Sequence, residues 1–272
     1  MNNFTKRLVF GIIYVLLMVI ATVYSPKLFI ILFFIFMNFC IYEFTKMVKL
    51  KSILPYLLGV LTYYYINYYD ELSIAQAETK ILLFVAAFLL VLPFINALFA
   101  KNKNALNYMG KIFTTYFYIV IPFSFIIAIP IFGNPSVQYD TRIILAIFIL
   151  IWTSDTFAYL VGRQFGKHKL FERISPKKTI EGFVGGLLFT LIGAFVLSKY
   201  FMPTIALKHW FAIAVLVSVF GTLGDLIESM FKRQANVKDS SNLFPGHGGF
   251  LDRLDSIIFA APIIFIYLIL FL

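Results

Sequence analysis

Nine long apolar stretches, separated by short polar segments, are the feature that most constrains how this chain of 272 residues can fold. A bilayer core about 30 Å thick needs roughly 20 apolar residues per helix, or a few fewer where flanking side chains reach the interface. Because backbone amides cannot remain unpaired in lipid, each stretch is expected to be helical. The predicted spans are 8–24, 28–42, 53–69, 81–100, 112–132, 143–162, 183–198, 210–224 and 257–272.

The composition supports the same conclusion, since 61% of the residues are hydrophobic, 13% are charged and the mean hydropathy is +0.90. These values lie outside the range of soluble domains. The sequence therefore predicts an all-α, polytopic integral membrane protein with about nine transmembrane helices. The first span has no small-residue cleavage site after it and is expected to remain as an anchor. Cys40 is expected to be a small core residue of the second span that forms no internal disulfide.

The placement of Lys and Arg predicts how the helices are oriented. With the N-terminus in the cytoplasm and the C-terminus outside, eighteen basic residues lie in cytoplasmic segments and five lie outside. This asymmetry is the one expected of a correctly counted set of spans. The net charge of +10 is then mainly a topology signal and requires no nucleic-acid partner, although a basic face also attracts anionic membrane lipids.

The spans divide the chain into two regions. Residues 1–142 hold five predicted spans, and residues 143–272 hold four spans with two polar cytoplasmic loops, 163–182 and 228–255. The second region is expected to be catalytic, because its loops carry most of the polar residues that could perform chemistry.

Acidic residues cluster at the cytoplasmic ends of the last spans. Asp155 lies inside the sixth span, Asp225 and Glu228 lie one helical turn apart after the eighth, and Asp252 and Asp255 open the ninth. An ionisable group at membrane depth indicates a functional site, although structural ion pairs are an alternative. Several carboxylates at one depth favour a hard cation such as Mg²⁺, with substrate phosphate and water as its other ligands.

Basic and Gly-rich segments face the same side. Ser175, Lys177 and Lys178 precede a predicted helix with Thr179 as its N-cap and Glu181 in its first turn, an arrangement suited to phosphate. The positive-inside rule alone is the alternative explanation of these lysines. In the second loop, the glycines of 245–249 allow backbone to approach a ligand, with His247 between them. A predicted cation site and a predicted phosphate site next to a lipid phase together suggest phosphoryl or nucleotidyl transfer.

The stretch 229–255 resembles the signature of the phosphatidate cytidylyltransferases, or CDP-diacylglycerol synthases, almost position for position. Two further elements, 155–159 and 175–182, also resemble this family. The signature residues present here are Ser229, Lys232, Arg233, Lys238, Asp239, Pro245, Gly246, His247, Gly248, Gly249, Asp252, Arg253 and Asp255.

The resemblance implies the reaction CTP + phosphatidate → CDP-diacylglycerol + pyrophosphate, dependent on Mg²⁺. It also implies a homodimer in the bacterial plasma membrane with its active site facing the cytoplasm. Whether a monovalent cation takes part, and which acyl chains are preferred, is left open.

The resemblance also assigns roles to individual residues. The metal is expected on Asp225 and Asp252, with Asp155, Glu228 and Asp239 as the next candidates. The expected catalytic group is Asp225, Asp239, Asp252, Lys238, His247 and Arg253. The residues expected to bind substrate are Ser175, Lys177, Lys178, Ser229, Lys232, Arg233, Gly248 and Gly249.

Two other functions remain open from the sequence. A related enzyme could use CTP with an isoprenoid lipid acceptor, or transfer a phosphoryl group from CTP to a lipid. An ion-coupled secondary transporter would also use buried acids and basic residues, but such proteins commonly show internal repeats and midplane sites. The acids here are expected at one membrane face, which favours the enzyme.

Overall fold

The computed structural model of the protein describes residues 3–67, 91, 93–95, 97–98, 104–132, 139–241, 243 and 248–272. Short π-helical segments, Tyr116–Val120 and Leu197–Phe201, follow the α-helices that end at Thr115 and Val196. The α-helices are α1 (Asn3–Tyr24), α2 (Pro26–Met47), α3 (Leu54–Asn67), α4 (Ala105–Thr115), α5 (Ile121–Phe132), α6 (Thr141–Phe165), α7 (Ile180–Val196), α8 (Leu207–Gln234) and α9 (Leu251–Phe271).

Six helices in the described part of the chain are long and apolar enough to cross a membrane, and each overlaps one predicted span. They are Pro26–Met47, Ala105–Ile131, Thr141–Phe165, Ile180–Phe201, Leu207–Gln234 and Leu251–Phe271. A helical multi-pass membrane protein is thus confirmed. The count of nine spans and the orientation of the termini stay predictions.

The other three predicted spans have different outcomes. The first and third coincide with α1 and α3, whose apolar stretches, Gly11–Tyr24 and Leu54–Tyr63, are shorter. The fourth, 81–100, lies mostly outside the described residues.

A small β-hairpin interrupts the helical architecture within the predicted loop 163–182. Strands β1 (Lys169–Phe171) and β2 (Ser175–Thr179) pair antiparallel, a feature that the sequence analysis did not predict. Thr179 ends the hairpin and caps α7 as predicted, since its Oγ1 accepts a hydrogen bond from the Gly182 amide at 3.1 Å. Its cap fixes where the hairpin meets the helix.

The core is aromatic and runs through both predicted regions of the chain. Phe29, Phe33 and Phe44 of α2 are fully buried in one hydrophobic cluster with Phe123 of α5 and Trp210 of α8. The predicted core position of Cys40 is also confirmed. Large apolar side chains are exposed along the outer faces of the helices, as expected of surfaces that contact lipid. Examples are Ile12, Leu16, Ile31, Phe117, Leu188, Ile192, Ile269 and Leu270.

Glycines bring the helices of the second region unusually close together. A Cβ at Gly186 of α7 would lie 2.8 Å from the Ser154 carbonyl oxygen of α6. A Cβ at Gly224 of α8 would lie 2.8 Å from the Cβ of Phe259 in α9. Small residues allow such backbone approach between membrane helices. The α8–α9 contact lies next to the acidic residues of both helices.

Candidate active site

One face of α8 carries four of the predicted site residues. The helix continues ten residues beyond the predicted span, to Gln234, so that Asp225, Glu228, Ser229 and Lys232 are spaced three or four apart and share that face. The Ser229 hydroxyl donates to Asp225 Oδ1 at 3.3 Å, and the Lys232 ammonium forms an ion pair with Glu228. Glu228, Ser229 and Lys232 are buried.

Asp252, in the first turn of α9, has protein partners on both carboxylate oxygens. Its Oδ1 accepts from Lys232 Nζ at 2.6 Å. Its Oδ2 accepts from the backbone amides of Ser240 at 2.9 Å and Gly249 at 2.8 Å, and lies 2.8 Å from the Ser240 hydroxyl. Lys232 therefore joins Glu228 of α8 to Asp252 of α9.

A second cluster of carboxylates lies across the same helix pair. Ligand oxygens of Asp225, Glu228 and Asp255 lie within 4.8 Å of one another, close enough to share a metal ion. Glu228 Oε1 is buried and has no hydrogen-bond partner among the described residues. A buried, unpartnered carboxylate oxygen is costly unless a cation or water binds it.

The hairpin and α6 complete the site from the other side. Lys178 of β2 forms an ion pair with Asp225, and the charged neighbours of Asp155 include Lys178, Asp225 and Arg253. Successive side chains of a strand point to opposite faces, so Lys177 faces away from this contact and is exposed. The two lysines predicted to bind phosphate are thus separated by the hairpin.

The assembled groups carry an excess of acid. Five acidic side chains lie near three basic ones, and Glu228 and Lys232 are buried, where charges interact more strongly than in water. Such a set fits a divalent cation, because Mg²⁺ binds one or two carboxylates and leaves positions for phosphate oxygens. The acidic side chains are Asp155, Asp225, Glu228, Asp252 and Asp255, and the basic ones are Lys178, Lys232 and Arg253.

Gly248 and Gly249, the described glycines of the Gly-rich turn, lie against Asp252. Gly248 has a φ of 80°, a conformation that side chains rarely adopt, and a Cβ there would lie 2.9 Å from the Asp252 Cγ. The turn can therefore approach the carboxylate only as glycine. Pro245, Gly246 and His247 lie outside the described residues, so the predicted role of His247 toward substrate stays a prediction.

Several predicted residues are not brought into this network. Arg233, Lys238 and Asp239 are exposed near the end of α8 and in the loop after it, and Arg233 Nη1 donates to the Val237 carbonyl at 3.3 Å. Ser175 is half-buried in β2. Their proposed roles toward substrate stay predictions.

Glu43 of α2 is a residue that the sequence analysis missed. It is fully buried and contacts the loop before α9. The available signal was its isolation, because it is the one acidic residue before Asp70 and lies at the end of a predicted apolar span.

Comparison with known proteins shows which family the chain belongs to. Residues 5–271 match the model of the Cytidylyltransferase family. The chain is 33% identical over 272 residues to a phosphatidate cytidylyltransferase of Bacillus subtilis strain 168, with 100% of each chain covered. It is 50% identical over 136 residues to one of Staphylococcus saprophyticus, covering 48% of this chain and 52% of that protein. One of Staphylococcus aureus strain COL is 48% identical over 138 residues, with the same shares covered. Because the family model covers almost the whole chain, the protein belongs to the cytidylyltransferase family.

Proposed function

We propose that this protein is a phosphatidate cytidylyltransferase, which converts CTP and phosphatidate into CDP-diacylglycerol and pyrophosphate. The observation that carries the proposal is the meeting of acids and lysines from β2, α6, α8 and α9 at the ends of membrane helices. The names of the Bacillus and Staphylococcus relatives support this choice of substrates.

The reaction needs little covalent chemistry from the protein. A phosphate oxygen of phosphatidate attacks the α-phosphorus of CTP, a new P–O–P bond forms, and the bond between the α-phosphorus and the pyrophosphate oxygen breaks. The attacking oxygen already carries negative charge, so no strong general base is required. Catalysis then depends on positioning and on neutralising phosphate charge.

Lysines are the residues of this chain suited to that neutralisation. Lys178 and Lys232 pair with carboxylates in the structure, and phosphate oxygens are alternative partners of the same charge. Lys178 and Asp225 are partly exposed, at 26% and 34% of their side chains, so a soluble nucleotide can reach this pair.

Mg²⁺ is part of the proposal. Asp225 and Asp252 are the ligands that the resemblance implies, and Glu228 and Asp255 are the carboxylates that the structure places beside Asp225. When bound, the ion would supply charge stabilisation at the phosphates. The unpartnered Glu228 Oε1 supports the fit. Asp252 Oδ1 already accepts from Lys232, so a cation bound to this oxygen would compete with the lysine.

The membrane setting follows from the lipid substrate. The acyl chains of phosphatidate can stay in hydrocarbon beside the exposed apolar helix faces, while the headgroup enters between the ends of the helices. The proposal includes nine spans, a cytoplasmic active site in the bacterial plasma membrane and a homodimer. Charge asymmetry supports the orientation, and family resemblance supports the dimer.

Two radiolabelled forms of CTP test the reaction in purified protein with phosphatidate and Mg²⁺. Label on the α-phosphorus should enter the lipid fraction, and label on the γ-phosphorus should leave as pyrophosphate. Lipid labelled from the γ-position would instead mean phosphoryl transfer. Asp225→Asn, prepared in parallel, is the matched control for a contaminating enzyme.

Two further arms test the alternative functions. Replacing phosphatidate by an isoprenoid phosphate separates the acceptors, and faster turnover of the isoprenoid would overturn the proposed substrate. Solute uptake into proteoliposomes without CTP turnover would favour a transporter. No observation in the described part of the chain favours either alternative over the cytidylyltransferase.

A further inference from the structure

Glu43 connects the N-terminal region to the loop between α8 and α9. Its Oε1 accepts from the Ser241 hydroxyl at 2.6 Å and the Phe250 amide at 3.0 Å. Its Oε2 lies 2.8 Å from the Ser240 hydroxyl and accepts from the Leu251 amide at 3.0 Å. All four partners lie about 200 residues further along the chain.

The arrangement is specific for a carboxylate. Glu43 is fully buried, and a buried carboxylate is unfavourable unless donors surround it. Each of its oxygens accepts from one backbone amide and lies within hydrogen-bond distance of one serine hydroxyl, so neither oxygen is left without a donor. All four of these donors come from the loop or from the start of α9. The carboxylate therefore fixes the position of that segment by hydrogen bonds. Packing alone does not require a carboxylate here, because the aromatic contact of Phe36 with Phe250 already joins α2 to the segment.

A single hydroxyl connects Glu43 to the charged network. Ser240 Oγ lies 2.8 Å from Glu43 Oε2 and 2.8 Å from Asp252 Oδ2, and its one proton can be donated to either oxygen. The other oxygen of Asp252 contacts Lys232. Displacement of the Glu43 carboxylate would thus alter the orientation of Asp252.

The start of α9 depends on the same residue. Phe250 and Leu251 supply amides that begin the helix, and the residue before the helix provides no side-chain cap. Glu43 accepts from both amides and so acts as a cap from a distant helix. A Cβ at Gly249 would overlap the Glu43 carboxylate oxygens and Ser240 Oγ, which shows how closely the turn encloses the group.

We propose that Glu43 is a positioning residue for cytidylyl transfer. From α2 it fixes the loop that contains Ser240 and the first turn of α9, and thereby holds Asp252 in its working orientation. This inference rests on the proposed function for its activity measurement. The competing explanation is that Glu43 only helps α2 and α9 to pack.

Glu43→Gln tests this role with little change of shape. The amide keeps one acceptor oxygen but places an NH₂ group against donors, so the loop should shift. We expect kcat to fall by about tenfold to a hundredfold, since misplacement of about 1 Å can cost this much. The KM for CTP should stay within about threefold of wild type, because the four donors to Glu43 do not include the lysines proposed to bind phosphate.

Thr45→Val is the matched control on the same helix. Thr45 is also buried, but among the described residues its hydroxyl donates only to the Ile41 and Tyr42 carbonyls of α2. This variant should keep the wild-type kcat. Amide hydrogen exchange gives a readout besides activity: Gly249, Phe250 and Leu251 should exchange faster in Glu43→Gln and at the wild-type rate in Thr45→Val.

The outcomes separate the two proposals. If folded Glu43→Gln keeps the wild-type kcat and loses only thermal stability, the positioning role is wrong and packing is the explanation. If the wild-type protein shows no cytidylyl transfer, the proposed function fails, and unchanged amide exchange would overturn the link to the loop separately. If Glu43→Gln does not fold, Ser240→Ala decides, since it removes the shared hydroxyl and leaves both carboxylates. An unchanged kcat in that variant would overturn the inference.

Discussion

Lys178 of β2 and Asp225 of α8 form an ion pair although they are far apart in the sequence. The pair joins the basic hairpin to the acidic face of α8, and both side chains are partly exposed. A site for anionic phosphate therefore lies directly beside a candidate site for a cation. Lys177, the preceding residue of the strand, takes no part in the pair and is exposed.

The two hairpin lysines should differ when they are replaced singly. Lys178→Ala should raise the KM for CTP by about tenfold or more, because a charged hydrogen bond contributes about 1.5–3 kcal/mol. Lys177→Ala should change it less than about threefold, since an exposed cation contributes about 1 kcal/mol or less. Steady-state kinetics in detergent micelles with fixed phosphatidate measures both. An unchanged KM in both variants would leave the positive-inside rule as the explanation of both lysines. Equal increases would show that Lys177 binds CTP as well as Lys178 does.

The glycines between α8 and α9 offer a test of packing. Gly224→Ala should destabilise the protein by about 1–3 kcal/mol and reduce activity, because the added methyl group forces the two helices apart next to Asp225 and Asp255. Thermal unfolding in detergent and turnover of the folded fraction measure the two effects. Gly221→Ala is the matched control one turn earlier, where the nearest atom, the Ser256 Cβ, would lie 3.5 Å away. Similar behaviour of both variants would show that the close approach at Gly224 is unimportant.

Helices and acids were largely predictable from the sequence, because hydropathy and membrane depth act on each segment separately. The grouping of the acids was harder to predict. It depends on α8 continuing past its apolar part, so that Asp225 and Glu228 lie close to Asp255. The sequence analysis did not name Asp255 among the expected metal ligands. The separation of Lys177 from Lys178 required the hairpin, whose pairing is set by contacts outside the local sequence.

Glu43 shows a different limit of sequence reasoning. Its isolation in an apolar helix marked it as unusual, but its partners lie in a loop about 200 residues away. Only the packing of α2 against the start of α9 brings them together. A sequence pattern can identify such a residue as unusual, but it cannot identify the distant residues with which it forms hydrogen bonds.

The orientation of the helices has a direct test. A reporter fused after Leu272 should give an outside signal, and one inserted between Lys169 and Ser175 should give a cytoplasmic signal, because eighteen of the 23 basic residues then lie in the cytoplasm. Paired enzymatic reporters that work on opposite sides of the membrane make the measurement. Signals from one side only at both positions would contradict nine spans with the N-terminus inside.

The ligands of the proposed metal can be identified by charge removal on α9. Asp252→Asn keeps the size of the side chain and removes its charge, so turnover should fall by at least about a hundredfold if several kcal/mol of metal-linked stabilisation are lost. The Mg²⁺ concentration for half-maximal rate should rise as well. The protein should still insert and purify, because a neutral amide is less costly than a carboxylate at that depth. Asp255→Asn should be milder in both measurements if Asp225 and Asp252 are the main ligands.

A larger effect of Asp255→Asn than of Asp252→Asn would also identify the metal ligands. Asp255 lies with Asp225 and Glu228 within 4.8 Å, and both oxygens of Asp252 already have protein partners. If Asp255→Asn raises the Mg²⁺ requirement more than Asp252→Asn, the three-carboxylate cluster is the metal site, and Asp252 acts by holding Lys232 and the Gly-rich turn. If neither change alters the Mg²⁺ dependence, a metal between α8 and α9 is wrong, and the excess acid must be balanced by lysine alone.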